Sequence, residues 1–188
     1  MEDFIGTYQI SDSLADKLND LYDEQKSTYG VDGKVGSGIV DKEVKDSKDL
    51  PISVDYFDEP IGEYRNKLQE FLILYIKKYS AVDDLCRFNI LEGYNIQRYD
   101  VGGGFKKWHC ERNGAFSESI KRCLVFMTYL NDVEDGGTEF KYYNKIVKAE
   151  KGKTIIWPSD WTHTHRGQIS NTKEKTIVTG WYSYLWDL

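Results

Sequence analysis

Apolar side chains recur at helical spacing in two stretches of the amino-terminal half of the chain. The first stretch follows Ser11 and Ser13, which offer N-caps, and ends at Gly30; its apolar positions are Leu14, Leu18, Leu21 and Tyr22. The second begins near Pro60, which suits a first helical turn; its apolar stripe is Ile61, Tyr64, Leu68, Phe71, Leu72, Tyr75, Ile76 and Tyr79. The pattern predicts two helices, the second packed on a sheet.

Residues 30–50, between the two helices, combine four glycines with many charged residues and show no sustained period. This composition predicts a long loop. Loops of this length are often lids or binding loops, although an ordinary mobile connection has the same pattern.

From about Gly93 onward, the pattern changes to short β-rich segments separated by Gly, Asn and Asp turns. The predicted strands are residues 94–99, 104–111, 122–130, 138–143, 145–149, 153–157, 163–166 and 175–185. Strands that follow two helices favour a mainly β, α+β fold, a double-stranded β-helix (jelly roll) buttressed by the amino-terminal helices. We expect one domain over residues 1–188, with 1–92 as helical support and lid loop and 93–188 as the jelly-roll core.

Composition and charge restrict the classes of protein. The chain has 188 residues, 40% hydrophobic and 14% aromatic, which is enough for one sizeable core. A net charge of -6 and a pI near 5.2 oppose nucleic-acid binding, because phosphate recognition normally needs a basic face. The sequence shows neither a signal-peptide pattern nor a segment resembling a membrane span, so we expect a soluble, cytoplasmic protein.

The three cysteines, Cys86, Cys110 and Cys123, are odd in number and follow no C-x-x-C spacing. A disulfide framework or a cysteine zinc site is therefore not expected, and the pattern favours reduced thiols.

A candidate metal site begins at His109 and Glu111. In an extended segment, residues two apart share a face, so the imidazole and the carboxylate would point the same way. They could supply two of the three ligands of a 2-His-1-carboxylate iron site, although such a pair is also common in half-exposed strands. The third ligand must be His163 or His165, the only other histidines, and strand alternation cannot choose between them.

Two further residues in the β half call for polar partners. Tyr129 shares a strand face with Val125 and Met127, and a buried tyrosine needs a partner for its hydroxyl. Lys175 shares a face with an apolar row in the last predicted strand. Either Lys175 pairs with an anion in a buried site, or it is the first residue of the strand and lies at the solvent-exposed end.

Three motifs occur in order along the β half: Tyr99-x9-His109-x-Glu111; Tyr129-Leu130-Asn131 with Gly136-Gly137-Thr138-Glu139-Phe140; and His165-Arg166-Gly167-x7-Lys175-x5-Trp181. Over roughly residues 90–185 the chain resembles the prolyl 4-hydroxylase-like branch of the Fe(II)/2-oxoglutarate-dependent dioxygenases. The stretch from Gly38 to Ser47 also resembles proteins of this type in phage and marine bacterial genomes.

The resemblance implies a set of cofactors and roles. Fe(II) would be bound by His109, Glu111 and His165, with the ten-residue interval from His165 to Lys175 matching the family's spacing. The residues around 2-oxoglutarate would be Lys175 on its distal carboxylate, Tyr129 as a hydrogen-bond donor, Tyr99 lining the site and Trp181 beside it. Such enzymes use O2, release succinate and CO2, and hydroxylate a substrate, here a peptidyl, prolyl or amino-acid-like one. Ascorbate is a further cofactor that the resemblance implies.

Glu111 departs from the commoner H-x-D motif by one methylene, and a carboxylate at this position argues against the halogenating variants. Glu139, in the Gly-Gly-Thr-Glu-Phe turn, is expected to be structural. The absence of a basic surface and of a second arginine-rich motif argues against a nucleobase demethylase.

Two other classes compete with the dioxygenase. A metal-binding cupin-like protein, non-catalytic or with different catalysis, would use His163 and His165 together, but a cupin usually places a glutamate a few residues after such a pair and none follows here. A carbohydrate- or peptide-binding jelly roll would explain five Trp and fourteen Tyr, but not Lys175 or the arrangement of the few histidines.

Overall fold

The computed structural model describes residues 2–36, 38–114 and 117–185, with Ser117 described by its backbone alone. The two predicted helices are present as α1 (Asp12–Tyr29) and α2 (Ile61–Lys78), and two short helices follow them, α3 (Ala81–Asp84) and α4 (Ser117–Lys121). The Ser11 hydroxyl caps α1 by accepting a hydrogen bond from the Leu14 amide at 3.2 Å. Among the described residues, no helix is both long and apolar enough to cross a membrane.

The described residues form thirteen strands, and all of their pairings are antiparallel. In chain order they are β1 (Gly6–Gln9), β2 (Val31–Asp32), β3 (Lys45–Asp46), β4 (Lys48–Ile52), β5 (Phe88–Asn89), β6 (Tyr94–Tyr99), β7 (Gly104–Phe105), β8 (Arg122–Tyr129), β9 (Val133–Phe140), β10 (Lys145–Ala149), β11 (Lys153–Pro158), β12 (His165–Gly167) and β13 (Lys175–Tyr184).

The strands form a large sheet in the order β1-β11-β8-β13-β6-β4-β2, with β5 also paired to β13. A smaller sheet has the order β10-β9-β12, and β3 pairs with β7. Two antiparallel sheets with helices beside them match the predicted mainly β jelly roll.

Alternation along the strands divides the apolar residues into two cores. On one face of the large sheet, Val178 and Phe126 join a cluster that contains Leu18 of α1 and Leu68 of α2. On the other face, Ile177 and Met127 join a second cluster that contains Phe140 and Val147 of the smaller sheet. Strand β8 is buried along its whole length because it contributes to both cores.

The structure differs from the sequence prediction in the region from residue 30 to residue 50. Instead of a continuous loop, this region contains β2, β3 and the start of β4, and β4 pairs with β6 in the large sheet. Its strands carry charged residues such as Asp32, Lys45 and Lys48, so no apolar alternation marks them in the sequence.

Three of the predicted strands are also altered. The strand predicted at residues 138–143 runs instead from Val133 to Phe140, so the Gly-Gly-Thr-Glu-Phe stretch lies in β9 and not in a turn. Segment 104–111 forms a strand only at β7 and then a single bridge between His109 and His165. Segment 163–166 begins with a 3-10 turn at Trp161–His163 before β12.

Candidate metal centre and cosubstrate pocket

His109, Glu111 and His165 form a compact cluster whose candidate ligand atoms all lie within 4.8 Å of one another. The Glu111 Oε1 atom is 3.4 Å from His109 Nε2 and 3.6 Å from His165 Nε2. The bridge between the two histidines creates this proximity, because the His109 amide donates to the His165 carbonyl at 3.0 Å and the His165 amide donates back at 2.9 Å. Two segments distant in sequence thus bring two imidazoles and a carboxylate together.

Hydrogen bonds to the backbone orient both imidazole rings. His109 Nδ1 lies 3.0 Å from the Lys107 carbonyl, and His165 Nδ1 lies 2.9 Å from the His163 carbonyl. Because a carbonyl only accepts, Nδ1 carries the hydrogen in each ring and Nε2 keeps its lone pair toward Glu111. Such outer hydrogen bonds are typical of metal-binding histidines.

The protonation tendencies of the cluster suit a cation. Burial favours the neutral acid of Glu111, but the two adjacent imidazoles outweigh burial and hold the pKa of Glu111 well below its ordinary value. Burial and the neighbouring His109 lower the pKa of His165, so its imidazole stays neutral. Two imidazole nitrogens and one carboxylate oxygen are a donor set that suits Fe(II), so these residues fit the predicted metal.

His163 takes a different position from His165. Its Nε2 lies 2.9 Å from the Asp3 carbonyl and its Nδ1 lies 3.0 Å from the Thr162 hydroxyl, so its ring is directed away from the cluster. Only the backbone carbonyl of His163 contacts the site, through His165. The geometry groups His165 with His109 and Glu111, and does not place the His163 side chain in the pocket.

A cavity of about 500 Å³ opens beside the cluster, between the two sheets. The structure brings all seven predicted site residues to its lining: Tyr99, His109, Glu111, Tyr129, His165, Lys175 and Trp181. Part of the wall comes from the segment predicted as a lid, including Val31, Lys34 and Gly36. A buried ion pair of that region, Lys45 Nζ to Asp49 Oδ2 at 2.5 Å, also lines the cavity.

Lys175 is buried in this cavity, with 4% of its surface exposed. The interpretation that Lys175 begins the last strand at a solvent-exposed end is therefore wrong. Its Nζ donates to the Gly136 carbonyl at 2.8 Å and to the Gln168 carbonyl at 2.9 Å. No carboxylate of the described residues forms an ion pair with it. Burial lowers the pKa of Lys175 to about 8, which indicates a cation that lacks an anionic partner.

The two tyrosines lie on the same wall as Lys175. Tyr99 is opposite Lys175 in the β6–β13 register, and the ammonium lies 5.4 Å from the centre of the Tyr99 ring. The Tyr99 hydroxyl donates to Gln97 Oε1 at 2.6 Å, and the Tyr129 hydroxyl lies 2.6 Å from the Thr138 hydroxyl. Burial raises the pKa of both tyrosines, so both hydroxyls keep their protons.

Trp181 lines the cavity but also contacts the metal cluster directly. Its indole Nε1 donates to Glu111 Oε2 at 2.9 Å. Arg122 lies against the same carboxylate, and Glu92 against Arg122. Sequence reasoning missed Arg122 and Glu92, although a charged residue at the start of an apolar strand is the same signal that singled out Lys175.

Glu139 lies apart from the metal cluster, as predicted for a structural carboxylate. Its Oε2 accepts a hydrogen bond from Arg166 Nε at 2.7 Å, and its Oε1 accepts one from Gln168 Nε2 at 3.3 Å. These contacts join β9 to β12 and the residue that follows it.

Cys86, Cys110 and Cys123 are free thiols, and Cys123 is buried.

Comparison with known proteins agrees with this geometry. Residues 94–183 match the model of the 2OG-Fe(II) oxygenase superfamily, a range that contains all seven predicted site residues. The match confirms the resemblance and the enzyme class predicted from the sequence. Fe(II) and 2-oxoglutarate are the cofactors that this family implies, together with O2 and an oxidisable substrate. None of the curated protein sequences compared with the chain matches it.

The solved structures with a similar fold include three prolyl hydroxylases. A prolyl-4-hydroxylase from Pseudomonas putida is 15% identical, with a TM-score of 0.69 over 96% of this chain and 94% of that one. A viral collagen prolyl hydroxylase from Paramecium bursaria Chlorella virus-1 is 20% identical, with a TM-score of 0.69 over 97% of each chain. A Trichoplax adhaerens prolyl hydroxylase, in complex with a hypoxia inducible factor peptide fragment, is 16% identical, with a TM-score of 0.71 over 95% of this chain and 84% of that one. The chain therefore has the double-stranded β-helix fold of prolyl 4-hydroxylase-like oxygenases.

Proposed function

We propose that the protein is a Fe(II)- and 2-oxoglutarate-dependent hydroxylase that acts on a peptidyl, in the first place prolyl, or amino-acid-like substrate and releases succinate and CO2. The observation that carries this proposal is the buried Lys175 in the same cavity as the cluster of His109, Glu111 and His165. A cation without an anionic partner and a set of N and O ligands supply the two binding functions that 2-oxoglutarate chemistry requires.

The metal would be held by His109 Nε2, His165 Nε2 and Glu111 Oε1, since these are the three atoms that face one another. Bound Fe(II) supplies the oxidation of 2-oxoglutarate by O2 and the hydroxylation that follows it. With His109, Glu111 and His165 as ligands, the metal would still have room to bind the cosubstrate and O2.

The chain's own residues would hold the distal carboxylate of 2-oxoglutarate. Lys175 donates two hydrogen bonds to carbonyls, and an ammonium has three donors, so one N–H remains for the carboxylate. The protonated Tyr129 hydroxyl can turn from Thr138 to donate to the same group. Pairing with an anion removes the cost of burying an unpaired ammonium.

The substrate would enter beside the segment of residues 30–50. Its cavity-lining members include Val31, Asp32, Lys34, Val35, Gly36 and Gly38. The pairing of β3 with β7 holds the later part of the segment next to Phe105, whose ring stacks on the His109 ring with 3.6 Å between the ring centres. We propose this segment as a lid over the substrate. The peptide bound to the Trichoplax neighbour supports a peptidyl substrate here.

We also propose that residues 1–188 form one oxygenase domain, because β1, β2 and β4 from the first 92 residues belong to the same sheet as β6, β8 and β13. The cupin-like alternative has no support in the geometry, since the ring of His163 bonds to Asp3 instead of joining His165 at the cluster. Binding of ascorbate and a cytoplasmic location stay predictions.

The proposal is tested by supplying Fe(II), 2-oxoglutarate and O2 and measuring succinate, with proline-rich peptides, free proline or other free amino acids as substrates. We expect one class to increase succinate formation and to gain the mass of one oxygen atom. His109→Ala should abolish both signals. Succinate formation that is unchanged in His109→Ala, or absent from the wild type with every substrate, would contradict the proposed function.

A further inference from the structure

The two oxygens of the Glu111 carboxylate have different partners. Oε1 faces the Nε2 atoms of His109 and His165, whereas Oε2 accepts the Trp181 indole N–H at 2.9 Å and lies 3.4 Å from Arg122 Nη1. One oxygen of the Glu111 carboxylate therefore faces the histidines, and the other contacts Trp181 and Arg122.

Arg122 is itself fixed from two sides and is 5% exposed. Glu92 accepts hydrogen bonds from Arg122 Nε at 2.9 Å and from Arg122 Nη2 at 2.6 Å, a paired contact that sets the plane of the guanidinium. The guanidinium carbon also lies 3.5 Å from the centre of the Trp181 ring. We call Glu92, Arg122 and Trp181 the carboxylate brace; Arg122 lies in β8, Trp181 in β13, and Glu92 in the connection between β5 and β6.

A glutamate ligand needs such support more than an aspartate does. Its extra methylene adds a rotatable bond, so its carboxylate can reach a metal with either oxygen or with both. Binding through both oxygens would occupy a position that 2-oxoglutarate or O2 requires. In this structure Oε2 is already bonded to donors, and only Oε1 is directed at the two imidazoles.

We propose that the carboxylate brace positions Glu111 to bind the metal through Oε1 alone, and that it adapts this site to glutamate in place of the commoner aspartate. This inference rests on the proposed function, because it requires that Glu111 is a metal ligand. Arg122, Glu92 and Trp181 act through Glu111 and are positioning residues in this role.

The test is Mn(II) binding by the full-length protein, measured by electron paramagnetic resonance without 2-oxoglutarate or substrate. Trp181→Phe keeps the ring and removes the donor, and Arg122→Lys keeps the charge and removes the paired contact with Glu92. We expect each variant to bind Mn(II) roughly 10- to 100-fold more weakly, the usual effect of removing a partner of a metal ligand. Arg98→Lys is the matched control, because the Arg98 guanidinium pairs with Asp23 of α1 instead of with Glu111.

A second comparison separates positioning from a general loss of folding. In a Glu111→Asp protein the shorter side chain cannot keep contact with both the histidines and the brace, so Mn(II) should bind more weakly than to the wild type. Adding Trp181→Phe to Glu111→Asp should then change the affinity by no more than about twofold, since the contact is already lost.

The outcomes separate the two proposals. If Trp181→Phe and Arg122→Lys both bind Mn(II) within about twofold of the wild type, the brace has no positioning role. If Trp181→Phe weakens binding equally in the wild-type protein and in Glu111→Asp, its effect is not exerted through Glu111, and the inference is also wrong. Failure of the wild type to bind Mn(II) would instead overturn the proposed function, and the inference with it.

Discussion

Replacing Lys175 with alanine removes the buried cation that we propose as the anchor for the distal carboxylate of 2-oxoglutarate. The ammonium is buried, its two carbonyl contacts are neutral, and its pKa is lowered to about 8 by burial. The desolvation of Lys175 has therefore already occurred in the ligand-free protein. An incoming carboxylate meets a cation that is dehydrated in advance.

The expected size of the effect follows from that geometry. Two opposite charges about 4 Å apart attract by about 4 kcal/mol at an effective dielectric constant of about 20. Desolvation of the 2-oxoglutarate carboxylate reduces this gain. Desolvation of Lys175 adds no further cost to binding, because it has already occurred on folding. We expect Lys175→Ala to weaken 2-oxoglutarate binding by roughly 2–5 kcal/mol, the range for removing one member of a buried charge pair.

The assay is calorimetric titration of 2-oxoglutarate into the Mn(II) protein without O2. Lys173→Ala is the matched control, because it removes the same charge two residues away from an exposed position. A ligand without the distal carboxylate, 2-oxopentanoate, should bind the wild type more weakly than 2-oxoglutarate does, and Lys175→Ala should no longer distinguish the two. Wild-type affinity for 2-oxoglutarate in Lys175→Ala, with Mn(II) binding intact, would refute the assignment.

Three further predictions concern the same pocket. Because ligand-free Lys175 loses its proton near pH 8 and a bound carboxylate would raise its pKa, 2-oxoglutarate affinity should be highest below pH 8 and fall by up to roughly tenfold per pH unit above it; a pH-independent affinity in calorimetry would contradict this. Tyr129→Phe should cost on the order of 1–2 kcal/mol in the same titration, less than Lys175→Ala, because one hydrogen bond to a charged group is lost. Hydrogen exchange in residues 30–50 should slow when the true substrate joins the metal and 2-oxoglutarate complex, and equal rates would mean that this segment is only a connection.

Much of the fold follows from local patterns in the sequence. Strand β6 has the predicted bounds of residues 94–99, and α1 starts at its serine cap and stops before Gly30, because these features depend on neighbouring residues. Strands β2 and β4 could not be predicted in this way. Their charged residues show no apolar alternation, and their extended form depends on pairing, directly or through β4, with β6, which is distant in sequence.

At the site, too, local sequence patterns predict some features, whereas others depend on tertiary contacts. Strand parity predicts that His109 and Glu111 face one way, and they do, although a bridge to His165 and not a regular strand holds them. Strand parity cannot separate His163 from His165, because a 3-10 turn between β11 and β12 directs the two rings apart. The position of Arg122 at the start of an apolar strand is visible in the sequence, but its contacts with Glu92 and Glu111 form only in the tertiary structure.

Metal binding by single-alanine variants tests the central claim most directly. Fe(II), or Mn(II), Co(II) or Ni(II) in its place, should bind the wild type at a single site, and His109→Ala, Glu111→Ala and His165→Ala should each lose that binding together with 2-oxoglutarate turnover. His163→Ala is the matched control and should bind the metal as the wild type does, since its ring bonds to the Asp3 carbonyl. Full metal stoichiometry and turnover in His109→Ala and Glu111→Ala, or loss of the metal in His163→Ala but not in His165→Ala, would contradict the account.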